Sequence, residues 1–277
     1  MSIKTKIQRC DSTANPTMGC DGCELWTPER KSCYAGLLHL RFGGVTPGYA
    51  ESFQQVTEFP GRMSEAARWS DLSGKTRPDK PWLAGYPRLI FVSDMSDALS
   101  DSVPFHYLHD EIITTVTVEP GKRHQWLWLT KRPDRMALFS AWLGKWPGNL
   151  WAGTSITTQA TTPRIESLLK VGNSETIHFL SVEPQIEPIY INHWLPKLSW
   201  VIQGGESGSQ ARPFQIAWAA DLIQQCNDYR IPYFLKQLGS VVIQHGKRKA
   251  FLDGHASDWS EWPKSIRRRE FPTLAEQ

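Results

Sequence analysis

The chain has 277 residues, 31 basic against 28 acidic for a formal charge of +3, with 40% apolar and 21% charged side chains. That composition excludes a disordered chain, and the length suffices to bury a core without help from disulfides or metal. No stretch approaches 18 consecutive apolar residues, and the opening Met1-Ser2-Ile3-Lys4-Thr5-Lys6 leads into polar sequence, so neither a membrane-spanning helix nor a secretory leader is expected and the expected compartment is the cytoplasm.

The first element with chemical content is a cysteine-rich loop. Cys20, Cys23 and Cys33 follow the spacing C-x2-C-x9-C, and an amphipathic helix with Leu37, Leu38 and Leu40 on its apolar face is predicted directly after them. A reducing compartment keeps thiols free, so three so close together point to metal or iron–sulfur ligation rather than to a disulfide framework. Three readings compete: a structural zinc with His39 or Cys10 as fourth ligand, incidental cysteines, and a three-thiolate [4Fe–4S] cluster whose fourth iron stays open to a small molecule. Cys10 on its own reads as structural, and Cys226 as a small core residue in the middle of a helix.

Residues 43–86 are rich in Gly, Pro and Ser and read as an insertion with one short helix at about 63–69. From Pro87 onward a rhythm sets in. Short apolar strands are predicted at 88–92, 126–129, 150–153, 177–182, 200–202 and 232–235. Helices are predicted at 104–118, with Pro104 in the first turn, and at 133–143, 161–171 and 214–229. Strands alternating with helices mean βα units on a parallel sheet, so the fold class is α/β. After about residue 240 the alternation stops. The predicted organisation is a partial (β/α)6-type barrel over 1–240 with a C-terminal extension over 241–277.

Each strand ends in polar residues, and parallel α/β folds build their sites at the carboxyl ends of strands. Ser93, Asp94, Lys131, Thr154, Ser155, Glu183, Glu206 and Lys236 are therefore expected to converge. Neither a Walker A loop nor a G-x-G-x-x-G after a strand is present. Gly204-Gly205-Glu206-Ser207-Gly208 reads equally as a ligand loop and as a tight turn.

The motifs Asn15-Pro16-Thr17-x-Gly19-Cys20, Cys33-Tyr34-Ala35, Phe91-Val92-Ser93-Asp94-Met95-Ser96-Asp97, Leu129-Thr130-Lys131-Arg132-Pro133, Ser181-Val182-Glu183-Pro184, Gly204-to-Gly208 with Ala211-Arg212-Pro213, and Phe234-Leu235-Lys236-Gln237-Leu238-Gly239 occur in one order. In these the chain resembles the phage and prophage three-Cys-motif proteins, a radical-SAM-like family, from about Asn15 to Pro263. The spacing differs from the general radical SAM pattern: here the long gap precedes the last cysteine, and the aromatic, Tyr34, follows it. The resemblance implies a radical SAM barrel, with a [4Fe–4S] cluster on Cys20, Cys23 and Cys33 and with S-adenosylmethionine (SAM) on the open iron. It also implies an electron donor such as flavodoxin or ferredoxin, and a base of phage DNA, hypermodified thymine in particular, as substrate.

On that resemblance Asp94 meets the SAM amino group, with Ser93 and Asp97 beside it; the alternative for Asp94 is a helix N-cap. Thr154 and Ser155 are read as ribose contacts or as caps of the next helix, and Glu183 as a ribose or substrate contact or the partner of a lysine. Lys131, Arg132, Arg212 and Lys236 would form a cationic rim for phosphate or the SAM carboxylate, unless salt bridges to Glu183 and Glu206 use them. Glu206 is the general-base candidate, with Lys131 and Lys236 as further catalytic candidates. A nucleic-acid partner would also use the basic clusters Lys247-Arg248-Lys249 and Arg267-Arg268-Arg269 and exposed Trp69, Trp82, Trp259 or Trp262. The rival of another class is a non-enzymatic, zinc-stabilised DNA-binding protein.

Overall fold

The computed structural model describes residues 1–274, so the last three residues of the predicted 241–277 extension lie outside the described chain. The chain packs as two compact units: residues 1–152 with 170–176, and residues 153–169 with the chain from Ile177 onward. The α/β class is as expected.

In the first unit the elements run β1 (Ser12–Ala14), β2 (Thr17–Met18), α1 (Tyr34–Phe42), β3 (Thr57–Glu58), α2 (Arg62–Ala67), β4 (Leu89–Val92), α3 (Phe105–Leu108), α4 (Thr114–Thr117), β5 (Gln125–Thr130) and α5 (Pro133–Leu143). Strand β4 is apolar and fully buried, as a strand covered on both faces must be. It pairs in parallel with β5, Leu89 opposite Gln125 and Val92 opposite Trp128.

Strand β1 is a seventh strand that the sequence pattern did not predict. It pairs in parallel on the other side of β4, Ser12 opposite Ile90 and Ala14 opposite Val92. Its three residues carry no apolar run, and polar contacts hold it in place. Asp11 accepts the Leu89 N–H at 2.9 Å and two bonds from the Arg77 guanidinium at 3.0 and 3.2 Å.

The 104–118 helix is present but not regular. Pro104 sits just before the first turn with extended backbone, and a wider turn over His109–Ile113 joins α3 to α4. Glu111 lies in that wide turn, buried, and its carboxylate accepts the N–H groups of Gly61 (2.9 Å) and Met63 (2.8 Å) at the start of α2. A carboxylate there satisfies donors that a helix leaves free at its N-terminus. Helix α5 has its proline in the first turn and Gly144, φ 78°, just past its end.

The predicted apolar face of α1 is corrected. Leu37 and Leu40 are 46% and 70% exposed, and the buried residues are Ala35, Gly36 and His39. Small side chains bring this helix onto its neighbour: a Cβ on Gly36 would meet the Trp26 ring at 2.4 Å.

The second unit contains α6 (Arg164–Leu168), β7 (His178–Val182), β8 (Trp200–Gly204), β9 (Phe214–Gln215), α7 (Ile216–Asp228), β10 (Tyr233–Gln237), β11 (Val242–Gln244) and β12 (Lys247–Lys249). Strands β7 and β8 pair in parallel, Leu180 opposite Val201, and β8 and β10 likewise, Phe234 opposite Ile202. With β6 (Leu150–Ile156), the strand order of the seven-stranded sheet is β1-β4-β5-β6-β7-β8-β10. Cys226 is buried in α7, as expected of a core thiol.

The region beyond 240 is built into the second unit. Strands β11 and β12 form a hairpin, with β11 parallel to β9. Farther on, the Leu235 N–H donates to the Arg268 carbonyl and the Glu270 N–H to the Tyr233 carbonyl, each at 2.9 Å, so the chain covers the free edge of β10. Trp262 is 1% exposed, which removes it from the exposed-tryptophan candidates. Trp69, Trp82 and Trp259 are half-buried. The 267–269 run is corrected too. Arg269 is buried, donates to the carbonyls of Leu235, Lys236 and Ser257, and stands 5.2 Å from the rings of both Trp259 and Trp262. Burial brings its pKa down to about 10. Arg267 donates to the Trp262 and Ser260 carbonyls, and Arg268 to the Asn227 side chain.

No helix among the described residues is long and apolar enough to cross a membrane.

Candidate functional site

The candidate residues fall into two groups, one in each unit. In the first unit the cysteine loop leaves β2 through Gly19. Its φ of 89° and a Cβ position 2.4 Å from the Gln55 carbonyl admit only glycine. The Cys20 N–H donates to the Phe53 carbonyl at 2.6 Å, the Trp26 N–H to the Cys23 carbonyl at 2.9 Å, and both the Ser32 and Cys33 N–H groups to the Leu25 carbonyl at 3.0 Å. Trp26 lies under the loop, edge-on to Phe53 with ring centroids 4.9 Å apart, and Lys31 Nζ sits 4.6 Å from the Trp26 ring. The loop therefore folds on its own backbone bonds and one aromatic anchor, and it delivers Cys33 to the start of α1.

All three thiols are partly exposed. Cys20 and Cys33 rest against the apolar cluster of Met18, Trp26, Ala35, Ala50, Phe53 and Met95. The Gly22 N–H donates to the Cys20 sulfur and the Leu25 N–H to the Cys23 sulfur, the latter at 3.5 Å. Burial pushes the Cys20 thiol up to about 11 and raises that of Cys23.

Among the described residues no three Cys, His, Asp or Glu side chains meet as a preformed metal-ion site. The donor set nevertheless fits an iron–sulfur group in kind: three soft sulfurs on one loop, two of them with amide N–H groups directed at them. For zinc, both fourth ligands considered are buried, and His39 keeps a buried Nε2 with no partner among the described residues. Cys10 is fully buried with its thiol pushed up to about 12, and His39 bonds the Ala35 carbonyl through Nδ1 at 3.0 Å with its ring against Tyr49 and Phe53.

The loop is tied to the carboxyl end of β5 by Arg132. Its guanidinium donates to Asp21, to the Gly22 carbonyl at 3.1 Å and to Asp97 at 3.3 Å, and it also bonds the Cys20 sulfur. Ser100 Oγ donates to the same Asp21 at 2.8 Å. Asp97 further accepts Thr130 Oγ1 (2.8 Å), the Lys131 N–H (3.0 Å) and the Leu99 N–H (3.1 Å), so its carboxylate is fully engaged in holding strand ends together. Lys131 contributes a nearby positive charge to Cys23.

At the end of β4, Asp94 accepts Asn15 Nδ2 at 2.6 Å, and the Tyr34 hydroxyl donates to the Asp94 carbonyl. Burial raises the Asp94 carboxyl above the ordinary range, against the pull of its hydrogen bonds. The N-cap reading of Asp94 is excluded, because the next helix begins at Phe105. Ser93 has a left-handed backbone, φ 68°, and its buried Oγ has no partner among the described residues. A strained, unsatisfied hydroxyl at a strand end is the kind of group that a ligand completes.

In the second unit Glu183 is the centre. Its Oε1 pairs with Lys236 Nζ at 2.9 Å and its Oε2 accepts Ser181 Oγ at 3.0 Å. A Cβ on Gly204 would stand 2.6 Å from Oε1, so the bare end of β8 is what admits this carboxylate. Thr154 and Ser155 lie inside β6, which runs beyond the predicted 150–153. Their expected capping role passes to Thr158, which forms a capping box with Thr161. Ser155 Oγ donates to the Glu183 carbonyl at 3.1 Å and Thr154 is fully buried.

Glu206 is held by Arg212 through both carboxylate oxygens, at 2.7 and 2.9 Å, and accepts the Arg212 N–H at 2.9 Å. A Cβ on Gly205 would lie 2.1 Å from the Leu238 carbonyl. The glycine-rich segment is thus a tight turn locked by an ion pair. Of the four residues of the expected cationic rim, Arg132, Arg212 and Lys236 are in ion pairs.

Sequence reasoning passed over Asp21, Asn15 and Ser100. Asp21 stands between two of the cysteines, and Asn15 opens the Asn-Pro-Thr motif; those positions were the available signal.

Fold and site together define an α/β protein that seats a three-thiol loop at the carboxyl ends of parallel strands. The chain belongs to the family described as a protein of unknown function, DUF5131, whose model matches residues 4–265. No curated protein and no solved structure matches it.

Proposed function

We propose that this protein is a radical SAM enzyme of the partial (β/α)-barrel kind, with Cys20, Cys23 and Cys33 holding a [4Fe–4S] cluster and SAM as its partner molecule. The observation that carries the reading is the seating of the thiol loop. Arg132 fastens the segment between Cys20 and Cys23 to the end of β5, and Tyr34, next to Cys33, bonds Asp94 at the end of β4. When bound, the cluster supplies one-electron reductive cleavage of the SAM sulfonium.

The chain's own groups supply position. Asp94, kept in place by Asn15 and Tyr34, is the acceptor for the SAM ammonium, and Ser93 Oγ offers an unused hydrogen bond beside it. In the second unit Glu183, with Ser181 and Lys236 on its carboxylate, is the acceptor for a ribose or substrate hydroxyl. Glu206, whose two carboxylate oxygens both accept from Arg212, is the general-base candidate of this reading. Lys131 and Lys236 are the further catalytic candidates, and Thr154, Ser155 and Arg212 support the strand ends.

A nucleobase of DNA is the substrate class the resemblance brings. Its support from charge is narrowed to Lys131 and the hairpin residues Lys247, Arg248 and Lys249, since Arg269 is buried and Arg267 and Arg268 donate to Trp262, Ser260 and Asn227. Flavodoxin or ferredoxin is the electron donor of this reading, and the cytoplasm its setting. The rival, a zinc-stabilised DNA-binding protein, would need a fourth ligand from Cys10, whose buried thiol is pushed up to about 12, or from the buried His39.

The test is anaerobic reconstitution with iron and sulfide. The expected protein is brown, absorbs broadly near ~400 nm and carries about four irons per chain, and Cys33→Ala loses the colour while keeping its fold. A colourless protein that takes up one zinc, and that unfolds when Cys33 is replaced, would contradict the reading.

A further inference from the structure

Helix α1 leaves the cysteine loop with an uncovered apolar face. Among the described residues twelve large apolar side chains are exposed, and four of them, Tyr34, Leu37, Leu40 and Val45, fall within residues 34–45. Leu37 and Leu40 are 46% and 70% exposed and Val45 is 76% exposed. Tyr34, Leu37 and Arg41 are spaced three and four apart and share one side of the helix, with Leu40 adjoining. The opposite side, Ala35, Gly36 and His39, is what the core takes. A cluster of exposed leucines on a soluble surface marks a contact site.

The helix itself carries charge of one sign. Helix α1 carries no acidic residue, its last turn holds His39 and Arg41, and the exposed Lys31 lies just before its start. The Arg41 guanidinium stands 5.1 Å from the Phe42 ring. An apolar centre rimmed by cations fits a partner with an apolar centre and an acidic rim. The helix also starts at a thiol. Cys33 is its N-terminal flanking residue, and Leu37 and Leu40 follow it by about 6 and 10 Å along the axis at the usual helical rise. Electron transfer requires close approach, so a carrier seated on α1 is placed next to the group that must be reduced.

We propose that the exposed face of α1, Leu37, Leu40 and Arg41 with Lys31, is the docking surface for a small acidic one-electron carrier protein of the flavodoxin kind. The inference rests on the radical SAM reading of Cys20, Cys23 and Cys33. The carrier gives up one electron, its reduced flavin passing to the next higher oxidation state, and the group held by the three cysteines gains that electron.

The experiment compares the reconstituted protein with its triple variant Leu37→Asp, Leu40→Asp, Arg41→Glu. All three side chains are exposed, so the fold is kept. The measurement is 5′-deoxyadenosine formation from SAM, once with dithionite as reductant and once with a bacterial flavodoxin kept reduced by its NADPH-dependent reductase. The flavodoxin-supported rate is expected to fall at least about tenfold in the variant and, in the parent protein, to fall with added salt, while the dithionite-supported rate is unchanged. Equal flavodoxin-supported rates in the two proteins would overturn the docking surface. Absence of product with dithionite would instead overturn the radical SAM reading, and flavodoxin binding by calorimetry then decides the surface: lost in the variant it stands, unchanged it falls. A dimer in sedimentation that the triple variant splits would assign the face to a second copy of this chain and overturn the proposal.

Discussion

Arg132 shows how one side chain positions a site. It reaches Asp21 and the Gly22 carbonyl on the cysteine loop and Asp97 beside the strand ends, and only a planar fork of donors serves all of them at once. Arg132 is therefore a positioning residue for Cys20 and Cys23. Arg132→Met removes charge-assisted bonds from a carboxylate that is 35% open to water, so the expected loss of stability is roughly 1–3 kcal/mol. The more specific readout is thiol exposure: iodoacetamide should label Cys20 severalfold faster in Arg132→Met, with Arg132→Lys in between. Unchanged labelling in both variants would mean that the loop seats itself without the arginine.

A second residue sets a pH response. His124 is fully buried, donates through Nε2 to the Ala67 carbonyl at 3.0 Å, and has its Nδ1 buried without a partner. Burial lowers its pKa, and burial lowers that of His39 as well. The unfolded chain takes up these protons at about 6.5 while the fold resists them. Stability is therefore fully present above about 6.5 and is lost as pH falls below it. The urea midpoint should drop between pH 7.5 and 5.5, and His124→Gln should reduce that drop. The same drop in both proteins would remove His124 from the account.

At the scale of elements, the cysteine loop and α1 behave as one piece because Gly36 lets the helix lie on Trp26. With a Cβ 2.4 Å from the Trp26 ring, Gly36→Ala must push the helix or the ring aside, for an expected cost of about 1–3 kcal/mol despite alanine's better helix propensity. Thermal unfolding measures the cost, and quenching of tryptophan fluorescence by iodide, faster in the variant, reports the displaced ring. A variant as stable as the parent would show that α1 does not depend on that close approach.

The same element shows where sequence reading reaches its limit. Leu37, Leu38 and Leu40 read as an inward face because leucine usually faces a core; here only Leu38 packs against the core, and glycine, alanine and histidine supply the rest, since the neighbour is a flat indole ring. Strand β1 was illegible for a related reason: Ser12, Thr13 and Ala14 form no apolar run, and Asp11 and Arg77 hold them by hydrogen bonds.

Across the whole molecule, the six strands with apolar runs were legible because burial on both faces leaves a contiguous signature, as in Leu89–Val92 and Trp200–Gly204. The cysteine loop was legible from its spacing. What spacing and residue type leave open is which polar strand ends are free for chemistry. Lys236, Arg212 and Arg132 have the composition of a cationic rim and the geometry of ion pairs, and Arg269 has the composition of a tail and the burial of a core residue. Pairing across long sequence separations decides those cases, and no local pattern encodes it.

The central claim is that Cys20, Cys23 and Cys33 serve radical SAM chemistry. Its most direct measurement is 5′-deoxyadenosine released from SAM by the iron- and sulfide-reconstituted protein under dithionite, in the absence of oxygen. The account predicts product from the parent protein, and none from Cys20→Ala, Cys23→Ala or Cys33→Ala at unchanged secondary structure. A parent protein that binds about four irons and their sulfide yet releases no 5′-deoxyadenosine, or a Cys33→Ala protein that releases as much as the parent, would contradict it.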